Sequence, residues 1–166
     1  MKKSNKGFTL IELLAVIVIL AIIALIATPI VVELIKNSRI SAAENATHGI
    51  IKAAEVYYGE EVLANQGVFK NNTTAKFDFS LSTDATKADD NGWYLLAAEK
   101  YIKYDGTQAH GGQLTIDRYG KIVITDALEI NNYYCAYKKS TESTTKTIKC
   151  AEKEDDVAVS TPETYS

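Results

Sequence analysis

A long apolar run near the N-terminus limits what this chain can fold into more than any other feature. Glu12 is the one formally charged side chain among residues 8–32, and the rest of the run is almost entirely apolar. A helix of about 20 apolar residues crosses a bilayer, so this run is long enough to do so with some tilt. We therefore expect residues 8–32 to form a membrane-spanning helix.

Basic residues in front of the run predict its orientation. Lys2, Lys3 and Lys6 precede Phe8, and positively charged flanks stay in the cytoplasm. The N-terminus is therefore predicted to lie inside and the rest of the chain outside. A secretory signal peptide has the same order, but its apolar region is usually about 7–15 residues long and ends at a small-residue cleavage site. Because the run continues through Val32, a plain signal peptide is disfavoured.

The carboxylate of Glu12 is costly in such a helix. At the centre of a membrane helix an acidic side chain costs about 2.5–3.5 kcal/mol on insertion scales. Near the helix end the cost is smaller, but the charge still needs a partner. The best-placed cation would be a free α-amino group close by, on this chain or on a neighbouring one.

The stretch KGFTLIELL resembles the N-terminal signature of type IV pilins and their pseudopilin relatives. The resemblance covers Lys6 to about Tyr58 and is most specific over Gly7 to Glu12. It implies that residues 1–7 are a basic leader removed by a prepilin peptidase after Gly7. It also implies that Phe8 becomes the new, N-methylated terminus.

The same resemblance implies a set of assembly residues. Glu12 would pair with the terminal amine of an adjacent subunit, and Thr9 belongs to the same motif. Pro29 matches a proline that interrupts the buried helix, and it would weaken the helix at about Ala24–Thr28. Ala21 stands where many members carry a helix-loosening glycine, so any melted stretch would be shorter here.

The remainder of the chain predicts an α+β fold. Residues 33–58 keep a helical period and form an amphipathic continuation of the helix. Its apolar face comprises Leu34, Ile35, Ala42, Ala43, Ala46, Ile50, Ala53, Ala54 and Tyr57. Residues 59–166 are predicted to form a globular head, in which a small antiparallel sheet packs on the helix as in the pilin fold.

Within the head, alternation and turn residues predict the individual elements. We expect a strand at 76–82, a short helix at 93–104, a hairpin at 113–127, and further strands at 131–139 and 145–150. Polar loops precede and follow the strand at 76–82. Residues 151–166 are predicted to form a weakly tethered polar tail.

The two cysteines are Cys135 and Cys150. They fit neither a four-ligand zinc site nor a CxxC redox pair. In a domain outside the cytoplasm one disulfide is the natural state, and two unpaired buried thiols are the competing state. The disulfide loop near the C-terminus of many pilins mildly supports the bridge.

The sequence points to no catalytic site, metal or cofactor. His48 and His110 each lack a second ligand at a suitable spacing. The run at 84–91 holds Asp84, Asp89, Asp90 and Asn91, but it departs from the spaced EF-hand pattern and reads as a solvated acidic loop. A formal net charge of −3 gives no reason to expect a nucleic-acid partner.

The resemblance implies a non-enzymatic structural subunit, the prepilin of a type IV pilus. Such a subunit is a single-pass protein of the cytoplasmic membrane before assembly and polymerises with other copies of itself through the pilus assembly machinery. The resulting extracellular filament would serve adhesion or motility. The alternatives are a pseudopilin of type II secretion or a competence pilin, which share the same N-terminal chemistry. A membrane-anchored enzyme or binding module is a less favoured rival, because no catalytic motif is found.

Overall fold

The computed structural model describes residues 7–64, 69, 74–84, 93–137, 147–157 and 159. In chain order these form helix α1 (Leu10–Ala64), strand β1 (Ala75–Asp78), β2 (Tyr94–Ala97), the single turn α2 (Ala98–Tyr101), β3 (Gly111–Ile116), β4 (Ile122–Ile130), β5 (Tyr133–Tyr137) and β6 (Ile148–Ala151). The chain divides into two compact units between Ser38 and Arg39.

In the first unit, α1 is apolar on all sides and its side chains are exposed. Leu25 is 78% exposed and Ile30 65% exposed. By length and composition the helix is able to cross a membrane. It continues without a break through Pro29, while the Thr28 hydroxyl donates to the Ala24 carbonyl at 2.6 Å. Threonine bonds of this kind often bend helices, so two local features weaken the same turn.

In the second unit, residues 39–64 of α1 pack one face on the sheet. The fully buried positions are Ala43, Thr47, Ile50 and Ala54, and Thr47 satisfies its hydroxyl on the Ala43 carbonyl. Helical spacing therefore placed the core face correctly from Ala43 onward. Three residues predicted for this face are exposed instead, namely Leu34, Ile35 and Ala42. The helix also continues past its predicted end at Tyr58, to Ala64.

The six strands form one sheet in the order β2-β1-β3-β4-β5-β6. All neighbours are antiparallel except β1 and β2, which run parallel. The α+β fold class is confirmed, with one parallel pair that the sequence did not predict. Its core is built from Phe77, Leu114, Ile124 and Leu128, which are fully buried together with Ile50 of the helix.

Strand β2 corrects the prediction of a helix over residues 93–104. Tyr94–Ala97 pairs with β1, and only Ala98–Tyr101 is helical. Leu96 and Ala97 are buried in this arrangement. Leucine and alanine favour helices, but pairing and burial outweigh that preference because intrinsic propensity is small per residue.

Two tight turns set the register of the antiparallel part. Between β3 and β4, Asp117 Oδ1 accepts the backbone N–H groups of Tyr119 and Lys121, both at 2.8 Å. Between β4 and β5, Asn131 and Asn132 have φ values of 53° and 64°. Two left-handed residues in a two-residue hairpin loop match a type I′ turn. The strand predicted from residue 131 therefore begins at Tyr133.

A disulfide joins the last two strands. Cys135 of β5 and Cys150 of β6 are directly opposite each other, with an S–S distance of 2.01 Å. The structure thus contains the disulfide and not the two unpaired thiols that the sequence left as the alternative. The bridge closes a segment with a sequence separation of 15. A loop of that size is worth about 3 kcal/mol in the chain-entropy model.

The start of the predicted tail is docked rather than weakly tethered. Ala151 ends β6, and a 3₁₀ turn follows at Glu154–Asp156. Val157 comes next and is only 8% exposed. Burial of an apolar side chain holds this part of the chain on the head. Residues 158 and 160–166 lie outside the described residues, as do most of the two predicted polar loops at 65–77 and 82–92.

We predict that Gly120→Ala destabilises the head. A Cβ at this position would lie 2.5 Å from Cε1 of Tyr58, and the φ of +81° is strained for alanine. The expected loss is about 1–3 kcal/mol in the free energy of unfolding. Denaturant unfolding of the full chain in detergent, followed by near-ultraviolet circular dichroism, would measure it.

The matched control is Gly59→Ala, next to Tyr58 in α1. A Cβ there meets nothing within 4 Å. Alanine is the better helix former, so this variant should be unchanged or up to about 1 kcal/mol more stable. Equal stability of Gly120→Ala and the wild type would contradict the contact between the turn and Tyr58.

Candidate functional site

The candidate site is the first turn of α1, where Thr9 and Glu12 bond to each other. The backbone N–H and the hydroxyl of Thr9 both donate to Glu12 Oε2, each at 2.8 Å. In return, the backbone N–H of Glu12 donates to Thr9 Oγ1 at 3.3 Å. The Thr9 carbonyl accepts from the N–H of Leu13, so Thr9 is the N-cap of the helix. This reciprocal arrangement is a capping box.

The capping box gives the Glu12 carboxylate partners within its own chain. Backbone N–H groups in the first turn of a helix have no partner inside the helix, and the helix dipole favours a negative charge there. Both effects lower the cost of a carboxylate in an apolar run. Its sequence signature, a threonine followed three residues later by a glutamate, is present in TLIE and is typical of a capping box.

The geometry leaves room for a second partner of Glu12. The two hydrogen bonds that the Glu12 carboxylate accepts in the capping box both end on Oε2. A carboxylate has about four lone-pair positions on its two oxygens, so Oε1 can accept a further donor without breaking the box. The same side chain is therefore suited both to capping its own helix and to meeting an external cation.

The peptide bond between Gly7 and Phe8 lies just before this turn. Phe8 is 92% exposed, and a Cβ built on Gly7 meets nothing within 4 Å. Both residues precede the first helical residue, Leu10. The bond therefore lies outside the helix in accessible chain, as a protease substrate requires. Lys2, Lys3 and Lys6 lie outside the described residues.

The remaining residue predicted for assembly, Pro29, is not part of this cluster. It lies on the same helix, about 25 Å from Glu12 at a rise of 1.5 Å per residue. The structure thus brings Thr9 and Glu12 together and leaves Pro29 at a separate point. The two features can act at different stages, one at the helix end and one in its interior.

The acidic run considered for calcium is already engaged where it is described. Asp84 accepts the Ala97 N–H at 3.0 Å, the Lys100 Nζ at 2.6 Å and the Tyr101 hydroxyl at 2.7 Å. Burial alone would raise the pKa of Asp84, but these donors outweigh it and lower the pKa. Conversely, the hydrogen bond to Asp84 raises the pKa of Lys100.

A metal ion at Asp84 would have to displace three donors. Asp89, Asp90 and Asn91 lie outside the described residues. In the part of the chain that the structure describes, no three His, Cys, Asp or Glu side chains are grouped to hold a metal ion. His48 and His110 lie far apart in sequence, the first in α1 and the second just before β3.

The head also carries an open cleft of about 530 Å³. It is lined by Glu99, Ile102, Lys103, Tyr104, Asp105 and Gln108. Burial raises the pKa of Tyr104, whose hydroxyl accepts the backbone N–H of Ala109 at 2.8 Å. A nucleophile paired with a general base is not found among these six lining residues, so this cleft gives no support to an enzymatic function.

Comparison with known proteins matches the N-terminal part of the chain. The sequence model described as the prokaryotic N-terminal methylation motif matches residues 2–28. The chain is also similar to the fimbrial protein EcpC of Eikenella corrodens, at 41% identity over 61 residues. That stretch covers 37% of this chain and 40% of the relative, so the chain spans well under half of the relative's length. No solved structure matches.

These findings define a class. The chain is type IV pilin-like: it joins a prokaryotic N-terminal methylation motif to a long apolar helix and an α+β head. The capping box of Thr9 and Glu12 and the accessible Gly7–Phe8 bond both lie inside the matched motif.

Proposed function

We propose that this chain is the precursor of a structural subunit of a type IV pilus. In this proposal a prepilin peptidase removes residues 1–7, and Phe8 becomes the methylated N-terminus. Residues 8–32 first anchor the subunit in the cytoplasmic membrane with the N-terminus inside. The same residues then form the core of an extracellular filament of many copies, with residues 33–58 as the amphipathic continuation and 59–166 as the head.

One observation carries the proposal: a helix with apolar side chains exposed on every side begins inside the matched motif and extends beyond it. The large apolar side chains from Phe8 to Ile35 have exposed fractions of 47–92%. Burying one such side chain is worth about 1.5–3 kcal/mol relative to water. A surface of this kind needs lipid before assembly and other apolar helices afterwards, and a bundle of identical helices supplies the second environment.

The Glu12 carboxylate would then have two partners in succession. In the membrane the capping box holds it through Thr9. In the filament the free amine of Phe8 from another copy reaches the open side of the carboxylate. An unpaired charge in an apolar interior costs about 3–5 kcal/mol. A subunit that docks out of register leaves both charges unpaired, so the pair sets the position of each new subunit.

The turn around Pro29 would let the helix adapt to its second environment. Pro29 lacks the N–H that an unbroken helix needs, and the Thr28 hydroxyl already competes for the Ala24 carbonyl. A weak turn can stretch when the helix leaves lipid and packs among its neighbours. The weak turn would act while the helix moves from lipid into the filament. Glu12 would act when the subunit reaches its final register.

The alternatives within the same class are a type II secretion pseudopilin and a competence pilin. Both would use the same N-terminal motif and the same helix. The similarity to a fimbrial protein favours the pilus. The partners of this function are other copies of the chain, the prepilin peptidase and the pilus assembly machinery. Force for growth would come from separate proteins, since the sequence carries no nucleotide-binding motif.

Mass spectrometry of the N-terminal peptide tests the processing step. Filaments sheared from cells should contain a chain that begins at Phe8 with one methyl group on its amine. A Gly7→Leu variant should keep its leader and stay in the membrane, because the bulky side chain blocks the accessible bond. A mature chain that retains Met1, or that begins after Thr28, would contradict the proposal.

Three substitutions distinguish the role of the hydrogen bonds between Glu12 and Thr9 from the role of the ion pair with the Phe8 amine. Glu12→Gln keeps an oxygen for the capping box but removes the charge, because glutamine also serves at this position. Thr9→Val removes the capping hydroxyl and keeps the charge. Glu12→Leu removes both. If the pair with the Phe8 amine controls assembly, Thr9→Val should assemble nearly normally while both Glu12 variants lose most of their filaments.

The measurement is the amount of sheared filament per amount of processed subunit in the membrane, which corrects for expression and cleavage. Thr9→Val should also show faster amide hydrogen exchange in the first turn of α1, since losing an N-cap costs about 1 kcal/mol. Normal filament yield from Glu12→Gln would show that capping, rather than charge pairing, is what assembly needs.

A further inference from the structure

We propose that Glu44 and Asp84 close the two outer edges of the head's sheet against strand pairing with a second copy of this chain. The inference concerns the head alone and does not depend on the function proposed above. It starts from the strand order, in which β2 and β6 are outermost. An outer strand presents unpaired N–H and C=O groups, which form a template for a strand of another molecule.

At the β6 edge one outward group is the backbone N–H of Cys150. Cys150 lies directly opposite Cys135 with a Cα–Cα distance of 4.1 Å. A short separation is typical of a non-hydrogen-bonded pair, whose N–H and C=O groups point away from the partner strand. The N–H of Cys150 donates instead to Glu44 Oε1 of α1, at 3.4 Å. Lys149 Nζ lies 3.3 Å from the same oxygen and holds it there.

At the β2 edge one outward group is the backbone N–H of Ala97. Among the described strands β2 has β1 as its single neighbour, and the Ala97 N–H donates to Asp84 Oδ1 at 3.0 Å. The second carboxylate oxygen accepts Lys100 Nζ at 2.6 Å and the Tyr101 hydroxyl at 2.7 Å. These two donors fix the carboxylate over the edge. The two outer strands, at opposite ends of the sheet, therefore share one arrangement.

Each carboxylate opposes an incoming strand in two ways. It occupies an N–H group that the new strand would need, and it places a charge that would have to leave water. Glu44 and Asp84 are both partly accessible, with side chains 20% and 25% exposed. Water therefore reaches the charges in the isolated head, and an added strand would remove that water. The incoming strand that the two carboxylates oppose is one from a second copy, because each copy presents the same two outer strands.

The test is self-association of the full chain in detergent micelles at a constant ratio of detergent to protein. Glu44→Ala frees the Cys150 N–H, and Asp84→Ala frees the Ala97 N–H. Sedimentation velocity should show that the dimers of both alanine variants have a dissociation constant at least about fivefold lower than the wild type's. A fivefold change corresponds to one net hydrogen bond. Amide hydrogen exchange should show protection of the freed N–H that rises with protein concentration.

Matched controls keep the carboxylate and remove its other partner. Lys149→Met retains the bond from Glu44 to Cys150, and Lys100→Met retains the bond from Asp84 to Ala97. Both should associate like the wild type. The proposal is wrong if the alanine variants associate no more than their controls. It is also wrong if they associate while the protection of β6 or β2 falls, because that pattern indicates local unfolding rather than strand addition.

Discussion

The proposed account depends on how the Glu12 carboxylate is paired with a donor in an otherwise apolar helix. A charge in that environment is tolerated only with a partner, and the first turn of α1 supplies one through Thr9. Because the bonds end on one oxygen, the carboxylate stays able to accept a second donor. The same group can thus be stable in a single subunit and still distinguish a correctly placed neighbour from a misplaced one.

The two units of the chain divide the physical work. Residues up to Ser38 expose apolar surface that only lipid or other helices can cover. Residues from Arg39 onward bury their apolar side chains in their own core, against a sheet closed at one end by a disulfide. The head therefore has no comparable need for a partner to cover its core. In the proposed assembly most of the energy would come from the first unit, while Glu44 and Asp84 each accept one backbone N–H of an outer strand.

Much of this arrangement could be predicted from the sequence because its causes are local. Composition alone identifies the apolar helix, and helical spacing identifies Ile50 and Ala54 as core residues. Alternating apolar residues on either side of Gly120 predict the hairpin of β3 and β4. The helix, the hairpin and the two following strands each follow from residues close together in the chain. The α+β class follows from their order.

What could not be predicted depends on partners distant in sequence or on turn chemistry. Tyr94–Ala97 is a strand because β1 lies beside it, a pairing that its own residues do not encode. The Asn131–Asn132 turn lacks the glycine that usually marks such hairpins, so the strand start was placed too early. In the site, the resemblance predicts Glu12 as a partner for another subunit and does not predict its hydrogen bonds to Thr9.

A structure of the assembled filament at a resolution that separates side chains tests the central claim most directly. The distance to measure joins the Glu12 carboxylate to the N-terminal nitrogen of Phe8 in a neighbouring subunit. The account predicts a separation of an ion pair, about 4 Å or less, repeated at every subunit. A Glu12 that contacts Thr9 alone, with the neighbouring amine paired elsewhere or exposed to solvent, would contradict it.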